Sequence, residues 1–299
     1  MAIVDASAKV ACMWMLETVK QMRFQRQILR DAGGQVAIVP TMGALHAGHL
    51  SLIEAAKRDG AEHIVVSIYV NPTQFAPTED LEKYPRQLSR DLELCEAAGA
   101  AGVFAPGNDE MYPPDVMECA IDVPAMATTL EGEHRPTHFA GVCRVVMKLF
   151  NIVQPDVAYF GEKDYQQLKV IEAMVDDMML PIHIKGCTTV RESDGLAMSS
   201  RNQNLDAESR RVAIGLIKAL EEAKTLITVS GEPDPDAVEA AMRLVLKAHR
   251  IEMDYAVVRH PRSLAPLDAI EPSLTGGVVA LIAAKVGDVR LIDNILIKA

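Results

Sequence analysis

Val36-Ala37-Ile38-Val39-Pro40-Thr41-Met42-Gly43-Ala44-Leu45-His46-Ala47-Gly48-His49-Leu50-Ser51-Leu52 is the stretch from which the fold is read. The apolar run Val36–Val39 predicts a short strand, and the glycines at 43 and 48 predict a turn that opens a helix near Gly48. A helix N-terminus offers unpaired N–H groups and the positive end of a dipole, so it favours phosphate. Gly43 and Gly48 let a ligand approach the backbone closely. His46 and His49, three residues apart at the junction, can donate hydrogen bonds to a phosphate whose charge rises during a reaction. The pair alone also fits a zinc pair or two surface histidines. No nearby Cys, Asp or Glu completes a zinc ligand set, which disfavours the metal.

Working outward, apolar strands alternate with helical patterns through the first half. Strands are predicted over 36–39, 63–70, 103–105, 157–160 and 181–185, and helices over 50–58, 81–98, 142–153 and 165–179. The 81–98 helix is interrupted near Pro85 and ends at Gly99. This alternation implies a doubly wound parallel sheet, whose ligands bind at the carboxyl ends of its strands. The turns after Val39 and after Phe160 both fall at such ends.

The pattern changes near Val190. Helices are expected over 207–227, with Val212, Leu216, Leu220 and Ala223 on one face, and over 236–249, with Val238, Met242 and Val245. Strands follow over 253–259, 277–286 and 289–297, the last two joined at Gly287-Asp288 as a hairpin. The division expected is 1–188 and 189–299, the second a smaller α+β lid domain that begins with the Met-Ser-Ser-Arg loop. Residues 1–14 read as a weakly ordered addition, with translation starting at Met13 or Met15.

The chain has 299 residues and a net charge of −11, which disfavours a broad basic face for nucleic acid. Its five cysteines (Cys12, Cys95, Cys119, Cys143, Cys187) are scattered and odd in number, which implies reduced thiols in a cytoplasmic protein. No apolar run reaches spanning length and no secretion signal is evident, so no membrane association is expected.

Three further segments carry chemistry. In Ser67–Phe75 the uncharged amide of Gln74 follows a strand end and suits a hydroxyl and a carboxylate together, although an ordinary turn explains it equally. In Gly161-Glu162-Lys163-Asp164-Tyr165-Gln166-Gln167, Lys163 can reach phosphate, Asp164 can cap a helix or touch a ribose hydroxyl, and Gln167 can face the cleft of Gln74. In Val190–Asn202, Met198-Ser199-Ser200-Arg201 supplies two hydroxyls and a guanidinium on a flexible stretch, as a clamp over triphosphate or as a polar interdomain loop. His134 and His138 precede a helix as substrate-lining or structural residues.

The His46-Ala47-Gly48-His49 element resembles the nucleotide signature of class I adenylyl-transferring enzymes. The ordered set of segments 40–53, 65–75, 138–142, 148–168 and 190–205 resembles the pantothenate synthetase (pantoate–β-alanine ligase) family. That resemblance implies a Rossmann-like fold and ATP-dependent condensation of (R)-pantoate with β-alanine through a pantoyl-adenylate. It implies ATP contacts from Pro40, Met42, Gly43, Ala44, Leu45, His46, Ala47, Gly48, His49, Gly161, Glu162, Lys163, Asp164, Val190, Met198, Ser199, Ser200 and Arg201. Gln74 and Gln167 would bind pantoate. His46, His49, Lys163 and Arg201 would carry the chemistry, Mg²⁺ would bind through ATP phosphates rather than in a protein cage, and the enzyme would be a homodimer. Asp91 is an outer contact for the metal on this reading.

Two features depart from the family pattern. Cys143-Arg144 stands where small hydroxyl residues are expected, so that Arg144 would alter the pantoate pocket wall or add a carboxylate contact. The N-terminal addition is the other. Residues 72–90 are expected to form a mobile wall of the site. The rival readings are a class I aminoacyl-tRNA synthetase, another nucleotidyltransferase and a non-catalytic nucleotide-binding module.

Overall fold

The computed structural model describes residues 13–75, 81–82, 84–271 and 276–298. The first half is β1 (Trp14–Leu16), α1 (Val19–Ala32), β2 (Val36–Thr41), α2 (Ala47–Arg58), β3 (His63–Ile68), α3 (Leu88–Ala98) and β4 (Gly102–Phe104). Three single turns follow, α4 (Asn108–Met111), α5 (Pro124–Ala127) and α6 (Glu131–His134), then α7 (His138–Val153), β5 (Val157–Gly161), α8 (Tyr165–Asp177) and β6 (His183–Cys187). The six strands pair in parallel in the order β1-β4-β3-β2-β5-β6. The chain winds outward from β2 through β3 to β4, then returns to β5 on the other side. The direction of winding therefore reverses between β2 and β5, which is where open α/β sheets hold their ligands.

Successive β2 residues serve opposite faces, as strand geometry requires. Val36 and Ile38 join α1, α7 and α8 in one core, while Ala37 and Val39 join α2 and α3 in the other. The crevice has a local cause. The β2–β3 ladder runs on to Thr41–Ile68, but the β2–β5 ladder ends at Ile38–Ala158. Asp156 N–H donates to Val36 O, while His63 N–H and Tyr69 N–H donate to Gln35 O and Thr41 O. Even-numbered residues of β2 thus face β5, and Pro40, which has no N–H, lacks a donor on that side.

The second half comprises α9 (Ala207–Thr228), α10 (Pro235–Ala248), β7 (Glu252–Arg259), β8 (Val278–Val286) and β9 (Val289–Ile297), the strands forming an antiparallel sheet. Asp206 and Asp234 cap the two helices on the N–H groups of Ser209 and Asp236. Ala256, Val258, Val278, Ala280 and Ile282 face these helices; Val257, Val279 and Leu281 pack instead on Leu130 and Tyr165 of the first half. The apolar run of β8 is buried on both faces for that reason.

The expected fold class is present, with two corrections. Trp14 is not part of an addition: it starts β1, pairs with Gly102, and its ring lies where a Cβ on Gly102 would stand. Residues 1–12 of that addition lie outside the described residues. The helix expected over 81–98 begins only at Leu88, because Pro85 blocks it, and it stops at Gly99 in the left-handed region (φ 87°). No described helix is long and apolar enough to cross a membrane.

Candidate active site

His46 is the N-cap of α2. Its Nδ1 accepts from Gly48 N–H at 3.2 Å, and its own N–H donates to His49 Nδ1 at 3.4 Å. This is a capping box built from two imidazoles. Because both Nδ1 atoms accept, each neutral ring carries its proton on Nε2 and has one donor left. The ring centroids are 4.1 Å apart. Burial lowers the pKa of His46, with Lys163 adding to the effect, and burial together with His46 pushes His49 down to about 3. Both rings are neutral donors at neutral pH.

The turn before α2 is held from a distance. Asp91, buried on α3, accepts from Ala44 N–H at 2.9 Å and Leu45 N–H at 2.8 Å, one with each oxygen. Gly43 (φ 85°) and Ala44 (φ 52°) both occupy the left-handed region there, and a Cβ on Gly43 would come within 3.1 Å of Asp91 Oδ2. Asp91 therefore shapes the turn; the sequence places it instead as an outer metal contact.

The second loop follows β5. Gly161 ends the strand and Glu162–Asp164 form a single 3-10 turn. Lys163 Nζ lies 3.4 Å from Asp164 Oδ1. Burial opposes ionisation of Asp164, but Lys163 and Arg201 hold its carboxyl below the usual carboxylate range. Asp164 makes no side-chain cap on α8, which corrects one of its two expected roles. Two residues not foreseen from sequence support this site. Asn294 Nδ2 of β9 donates to Glu162 O at 2.9 Å and to Lys163 O at 2.8 Å. Its neighbour Asp293 forms a two-point ion pair with Arg191 (2.7 and 3.0 Å). The available signal is a polar pair, Asp293-Asn294, inside a strand that is apolar on either side of it from Leu291 to Ile297.

Residues 190–198 form a small hairpin where a flexible stretch is expected. Met198 N–H donates to Val190 O, and Glu192 N–H to Leu196 O, around Gly195 (φ 89°). Arg210 of α9 pairs with Glu192 and Asp194, and Asn202 Nδ2 reaches Glu192 at 2.6 Å. These bonds give the segment a built base. Ser199 caps a short turn over Ser200–Asn204 that carries Arg201, and Tyr84 shares a cleft with Ser200 and Arg201. Met198 Sδ sits 3.3 Å from Gly48 N, which brings the hairpin to the start of α2. A cleft of about 970 Å³ runs along this hairpin, lined by Tyr84, Lys163, Asp164, Ser199, Ser200 and Arg201 among others. Residues 76–80 and 83 of the expected wall lie outside the described residues.

Gln74 is buried on a 3-10 turn after β3. Asn71 Nδ2 donates to Gln74 Oε1 at 3.0 Å, and Gln74 Nε2 reaches Met42 Sδ at 3.3 Å. His138 Nδ1 donates to Gln74 O at 2.8 Å, so this histidine is a prop. Gly141 of α7 lies against the same turn, where a Cβ would be 2.3 Å from Thr73 O. Gln167, on the first turns of α8, lines a small void of about 30 Å³ with Lys163 and Asp164. No hydrogen bond joins the two glutamines among the described residues. Arg144 turns to Glu118 (2.8 Å) and stacks over the Tyr112 ring, whose hydroxyl donates to Asn71 Oδ1. Tyr112 thus links Arg144 to the turn that carries Gln74.

Fold and site together define an α/β protein of the class I adenylyl-transferring type, with its paired-histidine turn at the reversal point of the sheet. The sequence profile of the family described as pantoate-beta-alanine ligase matches residues 14–296. A pantothenate synthetase of Allorhizobium ampelinum is 48% identical over 283 residues, covering 94% of this chain and 96% of the relative. The crystal structure of pantothenate synthetase from Thermus thermophilus superposes with a TM-score of 0.88 at 40% identity, covering 96% of this chain and all of the other. The pantoate-β-alanine ligase of Francisella tularensis, complexed with β-γ ATP and β-alanine, gives 0.77 at 32% identity, covering 95% and 98%. The chain belongs to the pantoate–β-alanine ligase family, enzymes that join pantoate to β-alanine.

Proposed function

We propose that the ligation proceeds through a pantoyl-adenylate formed between the start of α2 and the Lys163 loop. The convergence of His46, His49 and Lys163 at that helix end carries the reading. Each histidine feels the charge of Lys163, and Asp164 feels both Lys163 and Arg201, so these groups share one electrostatic neighbourhood. ATP lies along the cleft, its phosphates over Met42–His49, with Gly161–Asp164, Val190 and Met198–Arg201 closing around it. Pantoate is held by Gln74 and Gln167.

A pantoate carboxylate oxygen attacks the α-phosphorus, and the bond to the β-phosphate bridging oxygen breaks. Pyrophosphate leaves. No protein nucleophile is needed; alignment and charge stabilisation supply the rate. The two Nε2–H groups, Lys163 and Arg201 stabilise the charge that grows on the phosphates. The neutral amine of β-alanine then attacks the acyl carbon, AMP leaves with the acyl–oxygen bond electrons, and the new amide nitrogen loses a proton. Mg²⁺, when bound, would supply charge neutralisation at the phosphates. Asp164, a cleft carboxylate held ionised, fits the single-carboxylate-plus-phosphate setting this ion uses, whereas both Asp91 oxygens are taken by backbone.

The proposal further divides the chain near residue 189 and places the enzyme in the cytoplasm as a homodimer. Sedimentation equilibrium at twice the chain mass supports the dimer; a single-chain mass rejects it. The chemical test is pyrophosphate release from ATP. A stoichiometric burst with pantoate alone, and sustained turnover only after β-alanine is added, is the expected result. Release that waits for β-alanine rejects the adenylate.

A further inference from the structure

Asn294 lies in β9, in the second half of the chain, with 5% of its surface exposed. It is nevertheless the residue that holds the backbone of the phosphate-site lysine. Both hydrogens of its amide are used on consecutive carbonyls, Glu162 O (2.9 Å) and Lys163 O (2.8 Å). Two acceptors on one side determine which end of the amide is nitrogen. The rest of Asn294 is equally held. Its N–H donates to Asp293 Oδ1 at 2.7 Å, and its carbonyl accepts from Arg191 Nη2 at 3.2 Å. Arg191 in turn anchors the base of the hairpin that carries Met198–Arg201.

Adjacent strand residues point to opposite faces. Asp293 is opposite Ile282, whose face packs on α9 and α10, and Asn294 is opposite Leu281, whose face packs on the first half. The pair therefore reaches both phosphate-binding arms from one rigid strand. A short 3-10 turn has little hydrogen bonding of its own. The carbonyls of Glu162 and Lys163 take their direction from a donor 132 and 131 residues away in the chain.

We propose that Asn294 is a positioning residue for Lys163: its amide fixes the turn from which the lysine side chain meets the triphosphate. This deepens, and rests on, the reading of Lys163 as a phosphate ligand. Loss of the amide leaves the lysine present but misdirected, so Asn294 acts only while Lys163 is there.

A double-mutant cycle on ATP affinity tests this directly. Titration calorimetry with ATP and Mg²⁺, without pantoate, is run on the wild type, Asn294→Asp, Lys163→Ala and the double variant. Asn294→Asp preserves shape but turns two donors into acceptors facing two carbonyls. The expected result is an affinity about tenfold weaker in Asn294→Asp, and a double variant within twofold of Lys163→Ala alone. Equal tenfold losses with and without the lysine side chain overturn the inference, as does wild-type affinity in Asn294→Asp. If Asn294→Asp fails to fold, Asn294→Ser is carried through the same cycle under the same criteria. The ligase reading is judged separately, by pantoate-dependent pyrophosphate release from the wild type. A wild type that binds ATP and shows an additive cycle rejects the role of Asn294 alone; one that binds no ATP rejects the site and the inference together.

Discussion

His46 and His49 serve the reaction as neutral rings, and their surroundings make them so. Each Nδ1 accepts a backbone N–H, which a protonated ring could not do. Removing one preorganised donor from a charge-stabilising site typically costs about 10²–10³ in rate. His49→Ala is therefore expected to slow the pantoate-dependent pyrophosphate burst by about that factor while the far-ultraviolet spectrum is unchanged. An unaltered burst rejects the role. The same ring has a stability signature. Its pKa in the fold is about 3, against 6.5 for the free side chain, so the unfolded chain binds a proton first as the pH falls. The stabilisation is complete above pH 6.5 and is lost as the pH falls towards 3. Urea midpoints of the wild type should decline more steeply from pH 6.5 to 4 than those of His49→Gln; parallel declines contradict the neutral buried ring.

At the scale of elements, the turns that carry the site are each shaped by a neighbour packed on them. Asp91→Ala strands the N–H groups of Ala44 and Leu45 while Gly43 and Ala44 still need positive φ. Two charge-assisted bonds are lost, so about 2–4 kcal/mol of stability should go, with KM for ATP rising more than KM for pantoate. Gly141→Ala should show the reverse preference. The new methyl meets Thr73 O and shifts the turn bearing Gln74, raising KM for pantoate several-fold and sparing KM for ATP. Steady-state kinetics with each substrate varied in turn separates the two; matching changes in both constants reject this division. These supports mark where sequence stops being informative. The strand–turn–helix units at His46 and Lys163 are legible because glycine, apolar period and cap lie within a few residues of one another. Asp91 acts 46 and 47 residues away, and Asn294 acts on Lys163 across 131. Nothing local at either end records such a pairing. Trp14 escapes a sequence reading for the same reason, since its partner Gly102 lies on a distant strand.

At the scale of the molecule, a dry sheet face and a charged cluster join the two halves, beside the Asn294 bonds and the exposed Arg262–Asp176 pair. Val257, Val279 and Leu281 supply the dry part against Leu130 and Tyr165. The cluster centres on Glu131, buried at 6% exposure, which takes two bonds of 2.7 Å from Arg290 and one of 2.9 Å from the Tyr255 hydroxyl. Arg290 also holds Asp254 at 2.6 Å. Burial works against the charge on Glu131, and Arg290 overrides it, keeping the carboxyl below its usual range. That contribution is present above the ordinary pKa of 4.5 and is lost as the pH falls through the lowered value. Breaking such a pair from one side is costlier than removing it whole, because a buried charge is left alone. Arg290→Met is expected to cost about 3–5 kcal/mol in urea unfolding. Glu131→Gln combined with Arg290→Met should recover most of that loss, since the buried partner no longer carries a charge and Asp254, with 27% of its side chain exposed, stays in contact with solvent. A double variant as unstable as the sum of the singles would mean that the pair contributes packing alone. The cluster also lines the cleft, so the double variant has a second readout. If the ion pair sets how the halves face one another, its pyrophosphate burst falls although stability returns, and a burst restored along with stability confines the pair to holding the fold together.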